Sequence, residues 1–276
     1  MSRSVAAPSL ASPERQRRYL RRGLHRVDGW LDPLSAVVIA DLLTHQTALC
    51  VRGGIAEIGV HHGKLFLLAY LALRTNELGL ANDVFEQQEL NLDRSGAGDR
   101  ERFLANIRRH AGDDRNLRLI SRSSLEVRPA DIRDVLGTCR FFSVDGGHTE
   151  ECTLNDIRLA DASVGEAGIV VLDDYFNACW PEVSVGVARY MAAPARTLVP
   201  FLITPNKIFF CRAELSASYR DAIHARHRPL FDKTVAFFGH RTDLYGVGLA
   251  YRWLYPVRRL KRRLQGRILD NPRDAG

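Results

Sequence analysis

Along this 276-residue chain, short continuous apolar runs alternate with longer stretches in which apolar residues recur every three or four positions. The runs, bounded by Gly, Pro, Asp or Asn, predict strands at 54–59, near Phe85, and at 117–121, 140–144 and 168–172. The helical spacing predicts helices at 64–75, 99–111, around 131–136 and at 150–162. Upstream, Ser12 followed by Pro13 reads as an N-cap with Pro in the first helical position, and 34–44 reads as a second helix. Downstream, 200–203, 208–212 and 234–238 read as further strands, with a helix around 216–226.

Short apolar strands alternating with helices predict an α/β fold: a doubly wound, mostly parallel sheet with helices on both faces. Residues 1–33 form a basic helical arm, 34–250 the central domain and 251–276 a basic amphipathic tail. Ligands of such sheets bind outside the carboxyl ends of the strands. Three runs end there in acidic or glycine-rich clusters: Ala56-Glu57-Ile58-Gly59-Val60-His61-His62-Gly63, Phe142-Ser143-Val144-Asp145-Gly146-Gly147-His148, and Ile169-Val170-Val171-Leu172-Asp173-Asp174-Tyr175.

Charge narrows the function. The formal excess of +7 is concentrated in the arm (Arg15 to Arg26) and the tail (Arg252 to Arg267), so the centre is close to neutral. A nucleic-acid substrate is therefore not expected, because tracking phosphates needs concentrated positive charge. No apolar run approaches the ~20 residues that span a bilayer. The first thirty residues lack the apolar core of a secretory signal. Five cysteines without a CxxC pair read as buried, reduced, structural thiols in a cytoplasmic protein.

The first cluster fits neither familiar phosphate loop. Only three residues separate Gly59 from Gly63 and Leu65 follows Lys64, which fails the Walker pattern; Glu57 and His62 fail the dinucleotide fingerprint. What remains, Glu-x-Gly-x-x-x-Gly at a strand-to-helix turn, offers close backbone approach and a carboxylate suited to a cationic ligand.

With these residues the chain resembles class I S-adenosylmethionine-dependent methyltransferases, in particular the bacterial macrocin O-methyltransferase-like group that acts on sugars and natural products. The stretches that carry the resemblance are Glu57 to Gly63, Asp83-Val84-Phe85-Glu86-Gln87-Gln88, Asn91 to Gly96, Val144 to Thr149, Val171 to Phe176, and Phe237-Phe238-Gly239-His240, over roughly 35–245. The resemblance implies that Glu57, Gly59 and Gly63 line the methionine part of the cofactor and that Asp83 accepts from its ribose hydroxyls. It places Ser123 and Ser124 at the adenine, where an acid is more usual, and Asp145 also in the cofactor wall.

Asp145, Asp173 and Asp174, brought together from two neighbouring strand ends, would repel one another unless a cation or a proton sat between them. Hard oxygen ligands of this kind suit Mg²⁺. In resembling enzymes the ion holds two adjacent substrate hydroxyls and lowers the pKa of the one to be methylated. His148, three residues past Asp145, is the expected general base, while Gly147 stands where some relatives carry an aspartate.

The resulting expectation is a Mg²⁺-assisted O-methyltransferase acting on a hydroxyl of a sugar or glycosylated natural product. A metal-free enzyme with His148 as base and a non-catalytic cofactor-binding scaffold stay open. The tail, with Leu254, Val257, Leu260, Leu264 and Ile268 at helical spacing among basic residues, can lie on the inner membrane face, dock on a second subunit or fold back.

Overall fold

A computed structural model of the chain describes residue 10 and residues 12–248; the tail over 251–276 lies outside the described residues. The chain opens with α1 (Pro13–Arg18), whose N-terminus is capped by the Ser12 hydroxyl accepting from the Arg15 amide. A π-helical turn follows, and then α2 (Pro33–Ala48), where the Asp32 carboxylate accepts from the Leu34 and Ser35 amides. Next come β1 (Gly54–Ile58), α3 (Lys64–Tyr70), β2 (Gly79–Asn82), α4 (Arg100–Ala111) and β3 (Leu117–Ile120). After α5 (Pro129–Leu136) and β4 (Cys139–Val144), α6 (Glu150–Ser163) leads into β5 (Val164–Asp173). The described chain ends with α7 (Pro181–Ala192), β6 (Leu198–Ile203), β7 (Lys207–Arg212), α8 (Ala213–His227), β8 (Phe231–Phe237) and β9 (His240–Tyr245).

All nine strands form one sheet in the order β3-β2-β1-β4-β5-β7-β6-β9-β8. Its first five strands are parallel, and the order reverses between β1 and β4, opening a crevice at their carboxyl ends. β7 runs antiparallel to β5 and sets Lys207 opposite Asp173. One apolar cluster covers the face under α2, α3 and α8, with Leu42, Phe66, Phe103 and Tyr219; the other lies under α5, α6 and α7, with Ile132, Ile157 and Val187. The doubly wound expectation holds.

Three readings need correction. α3 stops at Tyr70 because Leu71, Ala72 and Leu73 turn inward as a buried corner that returns the chain to β2. α7 and β9 are not among the elements expected above, although α7 carries Val183, Val187, Tyr190 and Met191 at helical spacing. α7 is accepted because Gly186 lets it lie against α6, where a Cβ would come within 2.7 Å of the Thr153 Cβ. Among the cysteines, Cys139, Cys152 and Cys211 are buried, but Cys50 and Cys179 are exposed on turns.

The N-terminal segment is anchored to the sheet domain: the Gln16 amide donates to the Leu68 carbonyl (3.1 Å), the Tyr19 hydroxyl donates to the Lys64 carbonyl (2.8 Å), and Leu24 and Val27 are buried. No helix among the described residues is long and apolar enough to cross a membrane.

Candidate active site

The carboxyl ends of β1, β2, β4 and β5 open into a cleft of about 520 Å³ whose wall includes Gly59, Asp83, Ser123, Asp145, His148 and Asp174. Its floor depends on Gly59. This residue has φ +78°, and a Cβ there would lie 1.8 Å from the Asp145 carbonyl oxygen, so only glycine lets β1 and the β4 loop approach this closely. Gly63 also has positive φ, but it packs against the Phe103 ring beside α3 and does not line the cleft.

One end of the cleft is built of buried acids. Glu57 is 3% exposed; Ser143 donates to its Oε1 at 3.1 Å, and its Oε2 has no hydrogen-bond partner. Burial pushes this carboxyl up to about 8, against the pull of Lys207 and Ser143. Glu57 borders a recess of about 40 Å³ shared with Gly59, His61, Lys64 and Asp145. An unpartnered carboxylate oxygen beside such a recess suits a small cationic group. Asp83 accepts from the His61 and Phe85 amides (2.7 Å each) and is also raised by burial, which outweighs those amides. Ser123 and Ser124 line the far wall in a short helical turn after β3. Behind them, wholly buried on α6, stands Asp156, which did not stand out in the sequence. The Asn155 amide ties the two together, donating to the Ser124 carbonyl and to Asp156 Oδ1 (3.0 Å each), and Asp156 Oδ2 has no partner.

The other end is built around an imidazole. His148 bonds Asp93 through Nδ1 (2.8 Å) and Asp174 through Nε2 (2.9 Å), and its backbone N–H also donates to Asp93. The Trp180 ring stacks on it, centroids 4.5 Å apart. Burial works against the charged ring, but the two carboxylates outweigh it and hold its pKa above the ordinary value. In return, and again against burial, the His148, Asn177 and Asn206 bonds bring Asp174 down to about 2. Asp174 sits in the left-handed region (φ +59°), fixed by its amide donating to the Asn206 carbonyl and Asp173 Oδ1.

Between the two ends lies Asp145, raised well above the carboxylate range by burial and by the charge of Asp173. Asp173 itself is taken up within the chain: Lys207 Nζ donates to its Oδ2 and the Asn206 amide to its Oδ1. Among the described residues, the side chains whose donor atoms converge as a possible metal site are Asp145, His148 and Asp174, within 4.8 Å of one another.

Residues 56–175 match a protein family described as a methyltransferase domain. No curated protein matches the chain. Among solved structures, the O-methyltransferase NovP is similar over 64% of this chain and 80% of its own, with 18% identity and a TM-score of 0.54. The SAH-bound methyltransferase PaMTH1 of Podospora anserina is similar over 73% of this chain and 88% of its own, with 12% identity and a TM-score of 0.50. An O-methyltransferase of Bacillus cereus, in complex with SAH, is similar over 72% of this chain and 90% of its own, with 10% identity and a TM-score of 0.50. Residues 56–175 carry a methyltransferase domain, on a sheet of the same fold as these structures.

The residues expected to meet the cofactor fall into groups. Gly59, Asp83, Ser123, Ser124 and Asp145 share the cleft, Glu57 faces the adjoining recess, and Gly63 stands apart. Asp145, Asp173 and Asp174, the residues expected to hold Mg²⁺, share the cleft, but Asp173 is committed to Lys207 and Asn206, and the third converging donor is an imidazole, a poor ligand for a hard ion. The arrangement does not fit Mg²⁺ on three carboxylates. Asp93 and Lys207 were missed in the sequence, since one lies in a loop 55 residues from its partner and the other looks like an ordinary strand-opening lysine. His61 and His62 stack with centroids 3.8 Å apart.

Proposed function

We propose that the methyltransferase transfers a methyl group to a hydroxyl oxygen of a sugar or glycosylated molecule, with His148 taking the hydroxyl proton. The observation that carries this reading is His148 held between Asp93 and Asp174 at the cleft wall. When bound, S-adenosylmethionine supplies a methyl group on a sulfonium; the chain must hold it, align the acceptor and take the proton. The unpartnered Glu57 Oε2 suits the ammonium of the methionine part, and Asp83 keeps acceptor capacity for ribose hydroxyls beyond its two amide bonds.

Asp93 fixes the imidazole through Nδ1, so that Nε2 faces the place where an acceptor hydroxyl would displace Asp174. A base oriented by a carboxylate on its far nitrogen is a recurrent device for deprotonating hydroxyls. The wall around it supports a sugar. Trp180 and Trp30 offer flat apolar faces, and the Asn91, Asn177 and Gln88 amides offer donors and acceptors. The names of NovP and of the Bacillus cereus protein as O-methyltransferases agree with an oxygen acceptor. In this reading Mg²⁺ is not called upon.

The test is calorimetric titration of S-adenosylhomocysteine into the full chain, with Mg²⁺ and then with EDTA, beside Glu57→Ala. Micromolar affinity, about −8 kcal/mol, is expected in both media, weakened about a hundredfold in the variant because a buried charge-assisted bond is lost. No binding in either medium would sink the proposal.

A further inference from the structure

Glu57, Asp145 and Asp173 crowd the carboxyl edges of β1, β4 and β5, and the charge that opposes them comes from the chain itself. Lys207 is 1% exposed, donates from Nζ to Asp173 Oδ2, and acts electrostatically on Asp145 and Glu57 as well. It is held in a strand, in register with Asp173 across β5 and β7, so its ammonium is part of the sheet rather than of a mobile loop. The Asn206 amide reaches both Asp173 Oδ1 and Asp174 Oδ1 at 2.7 Å. Both oxygens of Asp173 are thereby committed.

We propose that Lys207 is a specificity-determining residue: its ammonium takes the place that a divalent cation would otherwise fill beside Asp145, Asp173 and Asp174, and so excludes that ion. A dication placed beside a buried ammonium would meet like charge in a low-dielectric site, and Asp173 could reach it only by abandoning Lys207. Removing the ammonium reverses the balance. It leaves buried carboxylates without their partner, a state that favours uptake of a cation. The inference rests on the proposed transfer only for the location of the cleft.

The experiment titrates Mn²⁺ alone into the full chain and follows the electron paramagnetic resonance of the free ion, without cofactor or acceptor. A failure here therefore leaves the methyl-transfer reading untouched, and failed cofactor binding leaves this one untouched. K207M is expected to bind Mn²⁺ at least about tenfold more tightly than the wild type, K207R to behave as the wild type, and K207M/D173N to lose the gain. Equal affinity in wild type and K207M overturns the proposal. If thermal melting shows K207M unfolded, K207Q replaces it. If both fail to fold, the wild type decides: an Mn²⁺ signal that D173N abolishes overturns the proposal, and no Mn²⁺ binding by the wild type supports it.

Discussion

The two ends of the cleft use the same side-chain type in opposite ways. At the Glu57 and Asp83 end, carboxyls are buried with few partners and their pKa values are raised; at the His148 end, Asp93 and Asp174 are held below their ordinary value by hydrogen bonds that outweigh burial. Environments that push like groups apart mark a division of labour. The first end stores a need for positive charge that an incoming cation can meet, whereas the second sets its carboxylates against an imidazole whose pKa they raise. In the proposed function one end binds and the other moves a proton.

The largest expected effect breaks the second end. His148→Ala should lower kcat by about 10² to 10⁴ while S-adenosylhomocysteine affinity, read by calorimetry, stays near the wild type. Asp93→Asn should lower kcat less and shift the pH profile, because the carboxylate both orients the ring and stabilises its charge. Since both partners raise the His148 pKa, the ring must lose a proton before it can act, and kcat should climb with pH through a value above 6.5. Asp174→Asn should move that rise downward. The linkage sign follows: a raised imidazole stabilises the fold below its unfolded pKa, and this contribution fades as pH rises through the folded value. Asp93→Asn should therefore cost more stability at pH 6 than at pH 9. A kcat unmoved by His148→Ala would end the assignment of the base.

A middle-sized effect sharpens the first end. With Glu57 raised to about 8, the cofactor-free protein carries it protonated at neutral pH. Pairing with an ammonium requires its ionisation, so binding should release a proton. The heat of S-adenosylhomocysteine binding near pH 7 should differ between buffers of different ionisation enthalpy, and affinity should rise by up to about tenfold per unit between pH 6 and 8. For the cofactor-free fold the sign is the reverse of a salt-bridged acid. The folded state holds the extra proton between the unfolded value of 4.5 and about 8, so stability falls as pH rises through that window. Glu57→Gln should flatten that fall. A pH-independent affinity without proton release would mean that Glu57 does not meet the ammonium.

The same contrast explains what the sequence disclosed. Elements whose signals are local were legible: the cap at Ser12, and the apolar runs of β1, β4 and β5 with their terminal acids. Elements that depend on a distant partner were not. β9 is a polar strand, His240 to Tyr245, held by pairing with β8 and β6. At the site, the repulsion among the three aspartates called for a cation or a proton, which chemistry could state without naming its source. Lys207 supplies it from a strand that joins β5 only through the antiparallel turn-back of the chain. Asp93 belongs with His148 for the same non-local reason.

The smallest expected effect concerns the cleft wall at Ser123 and Ser124, which the resemblance assigns to the adenine. Asp156 lies behind them, wholly buried and pushed up to about 6 by burial against the Asn155 and Ser124 bonds, but it does not line the cleft. If it serves only to brace the turn, Asp156→Asn should change S-adenosylhomocysteine affinity by less than about threefold, under 1 kcal/mol. Its signature would then be in stability. An acid raised on folding makes the fold lose stability as pH climbs from 3.8 to about 6, so the variant should melt higher than the wild type at pH 8, and the two should converge at pH 4. A tenfold or greater loss of affinity would instead make Asp156 the adenine-side acid acting through Ser124, and would add a third carboxylate to the binding end of the cleft.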